Sequence, residues 1–200
     1  MTTATQPQLE PGRVYRTQEL KAWSTNASRT VRQLVREGLL VPLEHGLFVH
    51  PKRGRFGMVP PTDAELMRAF LGRARFLFTG PDQWNALGLG STAAYAAPLV
   101  YNTRRSGVFE IGGRRFILRR VAFPDNPAPE WFVIDLLKNA DRAGVSRSDL
   151  VQALTRAVRR GEFDPGRLRE SARKYGTREI RSLITSALEE ATRELHPRRP

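Results

Sequence analysis

The segment 27–37 constrains the fold of this chain more than any other part of the sequence. Its apolar side chains recur three and four residues apart, a spacing that places them on one face of a helix. These side chains are Ala27, Val31, Leu34 and Val35. The opposite face carries Arg29, Arg32, Gln33 and Arg36. Because Gly38 follows as a stop signal, the sequence predicts an amphipathic helix with one buried face and one basic face.

The residues before this helix predict a short partner helix. Residues 17–23 begin with Thr17, whose hydroxyl suits the N-cap position, and they place Leu20 and Trp23 on the inward side. Residues 24–26 are polar and predict the turn between the two helices. The sequence therefore predicts a helix-turn-helix pair whose second helix is basic.

Two short apolar runs follow the basic helix. Residues 39–43 and 47–50 flank a turn that contains Gly46, and this pattern indicates a β-hairpin. The order of elements predicts a winged helix-turn-helix over residues 12–58. At ~1.5 Å per residue its recognition helix is about 16 Å long, which suits the major groove of DNA. Domains that bind proteins contain the same elements, so that alternative stays open.

The charge balance favours a polyanionic partner. The chain has 33 Lys and Arg against 20 Asp and Glu, a net charge of +13. Ten of these thirteen excess charges lie in residues 1–124. A GC-rich genome would explain the preference for Arg over Lys, but it would not explain the net excess. The basic character therefore supports nucleic-acid binding by the first part of the chain.

Catalytic, metal and membrane functions find little support in the sequence. There is no cysteine, which excludes disulfides and thiolate ligands, and His45, His50 and His196 lack the spacing of a metal site. The N-terminus does not resemble a signal peptide, and no apolar run approaches the length of a membrane span. We therefore expect a cytoplasmic protein that is not an enzyme and needs no metal or cofactor.

Residues 51–61 form a basic segment rich in Gly and Pro. It is interpreted either as a plain linker or as an arm that lies along the DNA backbone through Lys52, Arg53 and Arg55. Beyond it the sequence predicts a mixed α/β module over residues 59–124. In this module Thr62 and Glu65 are expected to form a capping box at the start of a helix, and the candidate core residues are Phe116, Leu118 and Val121. Proline-rich residues 125–129 mark the next boundary.

Residues 125–195 predict a C-terminal helical bundle, because apolar side chains recur there at helical spacing. Residues 1–11 are predicted to be a disordered tail, and residues 196–200 a second short tail. The expected fold class is α+β, with a winged helix-turn-helix, a mixed module and a helical bundle in that order.

At this level of detail the chain resembles a known family, the AbiEi-type antitoxins of type IV toxin–antitoxin systems, which are linked to abortive phage defence. The resemblance begins with residues 29–38 (RTVRQLVREG) and Gly46-Leu47-Phe48. It continues in residues 79–89 (TGPDQWNALGL), in Val100-Tyr101-Asn102-Thr103 with the Gly112-Gly113 turn, and in residues 167–183. Each motif is short, and their order and spacing carry the resemblance, which covers roughly residues 12–185.

The resemblance implies a bacterial cytoplasmic protein that binds its own promoter and represses its operon. It also implies that the protein counteracts a neighbouring toxin of the nucleotidyltransferase fold, usually without a stable complex. Carried onto this sequence, the DNA-contacting positions on the recognition helix are Ser28, Arg29, Arg32, Gln33 and Arg36.

The predicted wing departs from the family pattern. Family wings often carry Arg before and at the turn, whereas this chain has Pro42, Glu44 and His45. A glutamate at the wing tip would repel phosphate, which puts insertion of this wing into the minor groove in doubt. We expect the basic residues of the following segment, Lys52, Arg53 and Arg55, to make the backbone contact instead.

Three hypotheses follow. The first is an antitoxin that represses its own promoter. The second is a stand-alone winged-helix transcription factor whose C-terminal part senses a ligand or dimerises. The third is an enzyme or an RNA-binding module that uses the basic middle region. A nucleotidyltransferase gene directly downstream would favour the first over the second, and promoter binding without RNA binding would exclude the third.

Overall fold

The computed structural model describes residues 8–22, 24 and 26–195. Trp23, Thr25 and His196 lie outside these residues, as do residues 1–7 and 197–200 of the predicted tails. The described part is α+β, as the sequence predicts, and none of its helices is both long and apolar enough to cross a membrane.

Nine strands and seven α-helices, together with one 3₁₀ helix at Glu19–Ala22, make up the described part. The strands are β1 Val14–Arg16, β2 Val41–Glu44, β3 Leu47–Val49, β4 Lys52–Gly54, β5 Gly57–Val59, β6 Phe76–Thr79, β7 Leu99–Asn102, β8 Gly107–Ile111 and β9 Arg114–Arg120. The helices are α1 Ala27–Arg36, α2 Asp63–Leu71, α3 Pro81–Asn85, α4 Pro129–Lys138, α5 Arg147–Arg159, α6 Pro165–Tyr175 and α7 Arg178–Leu195.

The chain divides into two compact units. The first contains the residues up to Phe76 together with Asn102–Leu118, and the second contains Leu77–Tyr101 and the residues from Arg119 onwards. Residues 59–124 are thus shared between the two units instead of forming a unit of their own. The three-part division stays a prediction about which segments fold independently.

In the first unit, a three-stranded antiparallel sheet lies beside α1. Its order is β1-β3-β2, and both Val14 and Val41 are paired with Val49 of the central strand. β1 was not predicted, since a strand of three residues shows too little alternation to be recognised. Leu9 of the predicted disordered tail packs against the core beneath α1, so ordered structure begins before Gly12.

Helix α1 spans Ala27–Arg36, one residue less than predicted, and buries the face that its sequence predicts. Asn26 caps it, because its Oδ1 accepts the backbone N–H of Arg29 at 3.1 Å. Gly38 adopts a φ of +70° and ends it. The apolar stripe is buried in a core cluster with Tyr15, Leu20 and Leu40. Apolar burial on this one face fixes the orientation of the basic face.

The predicted partner helix is shorter than expected. It is a 3₁₀ helix of four residues, Glu19–Ala22, with Leu20 fully buried. Thr17 does not cap it. The Thr17 backbone N–H and hydroxyl both donate to the carbonyl oxygen of Gly46, at 3.0 and 3.5 Å, so Thr17 instead ties the end of β1 to the turn between β2 and β3.

Residues 51–61 are a second hairpin, and the interpretation as a plain linker was wrong. β4 and β5 pair antiparallel, with Lys52 opposite Val59, Arg53 opposite Met58 and Gly54 opposite Gly57. Because the pairing satisfies backbone groups locally, this basic segment has a defined shape.

The remainder of the first unit consists of α2 and the β8–β9 hairpin. Thr62 and Glu65 form the predicted capping box at the start of α2, and α2 packs against β1. In the hairpin, Phe109 is opposite Phe116. Phe116 and Leu118 are buried as predicted, whereas Val121, which was predicted to join them, lies beyond the end of β9 and is 39% exposed.

The second unit is largely helical. Helix α7 packs against α5 and α6, and α4 packs against α6 and α3. The buried residues Ile180, Ile184, Ala187, Leu188 and Ala191 follow the helical spacing that the sequence shows for α7.

Candidate functional site

The basic face of α1 is fully exposed. All five positions implied as DNA contacts are solvent-accessible, namely Ser28, Arg29, Arg32, Gln33 and Arg36. None of the three arginines forms an ion pair with any residue that the structure describes. Their guanidinium groups are therefore free to bind phosphate oxygens or the O6 and N7 atoms of guanine.

The three arginines border an open groove between α1 and the β2–β3 hairpin. The groove has a volume of about 750 Å³ and an apolar lining from Val31, Val35, Pro42 and Phe48. The structure thus brings Arg29, Arg32 and Arg36 together along one side of α1. This spacing of three and four residues follows from the helical repeat.

Ser28 and Gln33 are placed differently from the arginines, since neither lines this groove. The Ser28 carbonyl accepts the Arg32 Nε–H at 3.3 Å, and Gln33 Nε2 donates to Glu37 Oε1 at 2.9 Å. Such exposed hydrogen bonds contribute little free energy because water competes for both partners. Gln33 can therefore exchange its bond to Glu37 for a bond to a ligand.

The β2–β3 turn retains the acidic character seen in the sequence. Glu44 and His45 are exposed at the turn, and Gly46 adopts a φ of +75°. No Lys or Arg lies in this hairpin between Val41 and Val49. Its tip is therefore a poor partner for phosphate.

The basic residues that were expected to replace the wing contact all lie on the β4–β5 hairpin. Lys52, Arg53 and Arg55 are exposed. Hydrogen bonds from the Thr62 backbone and hydroxyl chiefly hold the pKa of Glu65 below its usual range, and the charges of Arg68 and Lys52 add to this effect. Arg53 and Arg55 form no ion pair among the described residues.

The tip of this hairpin carries a side chain that the sequence analysis missed. Arg55 and Phe56 form the two-residue turn, and Phe56 is 96% exposed. The Arg55 guanidinium lies 5.5 Å from the centre of the Phe56 ring. The sequence feature that could have indicated this exposed tip is the aromatic residue in Gly-Arg-Phe-Gly, which forms the turn between two short strands.

The second unit contains a buried polar cluster centred on Asp135 of α4, which is 2% exposed. Its Oδ2 atom accepts the Thr79 hydroxyl at 2.6 Å and the Trp84 indole N–H at 2.9 Å. Its Oδ1 atom accepts the Tyr101 hydroxyl at 2.7 Å, and Asn139 Nδ2 donates to the Tyr101 oxygen at 3.1 Å. One carboxylate therefore connects β6, α3 and β7 to α4.

Burial controls the protonation of this cluster. Burial raises the pKa of Asp135, although the hydrogen bonds from Thr79, Tyr101 and Trp84 oppose the rise. Burial likewise raises the pKa of the Tyr101 phenol, and the adjacent Asp135 raises it further. Both carboxylate oxygens of Asp135 accept hydrogen bonds from protein donors. The cluster is therefore suited to a structural role.

The sequence did not predict this cluster. In the sequence, the only indication was that Asp135 and Asn139 lie one turn apart, with Asp135 among the apolar residues of α4. Three of its members come from the segments that carry the family resemblance: Thr79 and Trp84 from TGPDQWNALGL, and Tyr101 from the Val100–Thr103 stretch. The structure gives these motif residues a shared hydrogen-bond partner.

Within the described residues, no group of three or more His, Asp and Glu side chains could hold a metal ion. No protein-family model, no curated protein and no solved structure matches this chain.

Proposed function

We propose that this protein binds duplex DNA through a winged helix-turn-helix in which α1 is the recognition helix. The observation that carries the proposal is the exposed basic face of α1. Arg29, Arg32 and Arg36 lie along one side of the helix and have no acidic partner among the described residues. Such a face can supply both phosphate contacts and bidentate contacts to base edges.

The arrangement around α1 supports this proposal. The sheet order β1-β3-β2 and the position of α1 between β1 and β2 in the chain are typical of a winged helix. α2 packs on β1 and supplies a further helix of the domain. The 3₁₀ helix Glu19–Ala22 contacts α1 and takes the place of the preceding helix.

The side chains on α1 have distinct proposed roles. Arg32 and Gln33 lie in the middle of the helix and are assigned to base edges. Arg36 lies one turn after Arg32 and is assigned to phosphate, as are Lys52, Arg53 and Arg55 of the second hairpin. Ser28 and Arg29 complete the contact surface at the start of the helix.

We further propose that the bound DNA is the protein's own promoter and that the protein is the antitoxin of a type IV toxin–antitoxin system. The support for this step is the family resemblance. On this proposal the protein is cytoplasmic, α4–α7 form the helical bundle of the antitoxin part, and the partner is a neighbouring nucleotidyltransferase-like toxin that it counteracts without a stable complex.

Promoter binding tests the first proposal. The full-length protein is titrated onto a duplex that contains its own upstream region, and the titration is repeated at several salt concentrations. We expect affinity to fall steeply with salt, because counterions are released from each neutralised phosphate. Equal affinity for RNA of the same sequence, or no binding to the duplex, would contradict the proposal.

Rescue of growth tests the antitoxin proposal. The neighbouring toxin is expressed with the wild type or with Arg32→Ala, both as full-length chains, because the first unit extends beyond residue 61 and a fragment starting there would divide it. We expect both proteins to rescue growth, while only the wild type represses a promoter reporter. Failure of the wild type to rescue would leave the second hypothesis, a stand-alone transcription factor.

A further inference from the structure

The β4–β5 hairpin presents apolar side chains to solvent at a position where the fold does not require them. Phe56 is 96% exposed, Met58 55% and Val59 44%. Phe56 is the most exposed of these side chains, and an almost completely exposed aromatic residue is a candidate contact for a partner because aromatic residues are enriched at interfaces.

The charge of the hairpin limits the class of partner. Lys52, Arg53 and Arg55 are its only charged residues, and no Asp or Glu occurs between Pro51 and Thr62. Since Arg53 and Arg55 form no ion pair among the described residues, the exposed aromatic side chain is surrounded by cations that lack counter-charges. The surface complements a polyanion that also offers apolar contacts.

The shape of the tip fits a narrow groove. Gly54 and Gly57 are paired directly behind the turn, so the ribbon has no side chains at the point where Arg55 and Phe56 begin to project. Adjacent strand axes lie about 4.8 Å apart, and each strand adds its own thickness, so the ribbon is wider than the minor groove of B-DNA, which is about 6 Å wide. Only the side chains of Arg55 and Phe56 at the tip can enter such a groove. A larger residue at position 54 would collide with Val59, whose Cγ2 atom would lie 2.9 Å from an added Cβ.

The base of the hairpin is firmly attached to the three-stranded sheet. His50, which lies between β3 and β4, donates its backbone N–H to Arg13 at 3.0 Å and accepts the N–H of Gly12 at 2.8 Å. Its Nδ1 atom lies 2.6 Å from the Leu39 carbonyl oxygen. Each arm of three residues extends about 10 Å, so the tip projects from a fixed point.

We propose that the tip of the β4–β5 hairpin enters the minor groove of the duplex that α1 contacts. Phe56 acts as an apolar wedge between base pairs, and Arg55 lies beside it in the groove, so that of the three basic residues of this hairpin only Lys52 and Arg53 stay assigned to phosphate. Proteins that use such wedges unstack a base step and bend the duplex, and narrow minor grooves attract arginine. This inference rests on the proposed DNA binding.

The test compares full-length wild type with Phe56→Ala and Phe56→Trp on the promoter duplex. Affinity is measured by fluorescence anisotropy, and bending by energy transfer between dyes at the duplex ends. We expect Phe56→Ala to weaken binding on the order of 10-fold and to abolish the bend, while Phe56→Trp retains both. Arg181→Ala, an exposed arginine on α7, serves as the control.

A minor-groove ligand sharpens the test. Distamycin should displace wild type from the duplex more readily than it displaces Phe56→Ala, because only the wild type competes for that groove. If Phe56→Ala binds and bends the duplex as the wild type does, Phe56 is not a wedge. DNA binding by α1 would not be contradicted by that result. No binding by the wild type would contradict the proposed function itself. The inference would also be overturned if Phe56→Ala weakened binding to single-stranded DNA or to anionic lipid vesicles but not to duplex DNA.

Discussion

The exposed face of α1 and the buried Asp135 cluster place polar side chains in opposite surroundings. On α1 the guanidinium groups of Arg29, Arg32 and Arg36 are exposed and have no acidic partner in the described part of the chain. In the second unit, the Asp135 carboxylate is buried, and Thr79, Trp84 and Tyr101 all donate to it. The first arrangement leaves hydrogen-bonding capacity for a ligand, whereas the second uses that capacity within the protein.

This difference separates binding from stability. Removing an exposed, unpaired side chain changes the free energy of unfolding little, because water solvates the group in both states. Removing the acceptor at the centre of a buried cluster leaves its donors without partners and costs much more. Substitutions at the two places should therefore affect different measurements, and four experiments examine that separation.

The largest effect is expected for Asp135→Ala. It leaves three buried donors without their acceptor, at about 1–3 kcal/mol for each such group, and we expect the free energy of unfolding to fall by roughly 3–5 kcal/mol. Urea denaturation followed by circular dichroism measures the change. Glu189→Ala, on an exposed part of α7, is the control and should stay within ~0.5 kcal/mol. A loss below about 1 kcal/mol for Asp135→Ala would show that the cluster is not a structural centre.

Tyr101→Phe should have a smaller effect that depends on pH. At neutral pH the lost hydrogen bond to the carboxylate should cost roughly 1.5–3 kcal/mol. Because the pKa of Tyr101 is raised in the folded state, the native wild type binds more protons than the unfolded chain above pH ~10, and its stability falls as pH rises. Tyr101→Phe has no phenol at this position, so its stability does not fall with pH for this reason.

The difference in stability between wild type and Tyr101→Phe should therefore narrow above pH ~10, by at most about 1.4 kcal/mol per pH unit. Urea denaturation at pH 8, 9.5 and 11 measures it. Tyr175→Phe, which removes a hydroxyl outside the Asp135 cluster, provides the control. A difference that stays constant over this range would show that the Tyr101 phenol titrates alike in the folded and unfolded chains.

Arg32→Ala tests the exposed face of α1. It should weaken promoter binding by about 1–3 kcal/mol, or roughly 5- to 150-fold, and relax specificity at one base pair. The free energy of unfolding should change by less than ~0.5 kcal/mol because the side chain is exposed. Binding is measured by anisotropy on the promoter and on duplexes with single base-pair changes, with Arg181→Ala as control. Unchanged affinity would mean that α1 does not face the bases.

The smallest effect is expected for Arg36→Ala. If its guanidinium meets a phosphate, the variant should bind all duplex sequences more weakly by a similar factor. The slope of log affinity against log salt should flatten by roughly one unit. Titrations at four salt concentrations on promoter and unrelated duplexes measure both quantities. A sequence-dependent loss would instead assign Arg36 to a base edge.

The sequence predicted the elements whose signal is local. The stripe of Ala27, Val31, Leu34 and Val35 and the stop at Gly38 predicted α1 because helical periodicity and caps lie within a few residues of each other. The same holds for the α2 capping box and for the apolar repeat of α7. The exposed face of α1 followed directly, since burying one side of a helix exposes the other.

Several short strands were not predicted, because a strand of three residues shows too little of the alternating pattern that identifies a strand. β1 has three residues, and β4 and β5 have three each, with Gly at their inner ends. Gly and Pro in residues 51–61 favour a linker on local grounds. Pairing between strands, which no single strand reveals, makes this segment a hairpin and places Phe56 at its tip.

The sequence by itself determined the α+β composition, the position of α1 and its basic face, because each depends on residues close together in the chain. Only the tertiary structure decided that Thr79, Trp84 and Tyr101, 34 to 56 residues before Asp135, share its carboxylate. A buried charge needs donors from several elements at once. Their meeting is fixed by packing, which local sequence patterns do not encode.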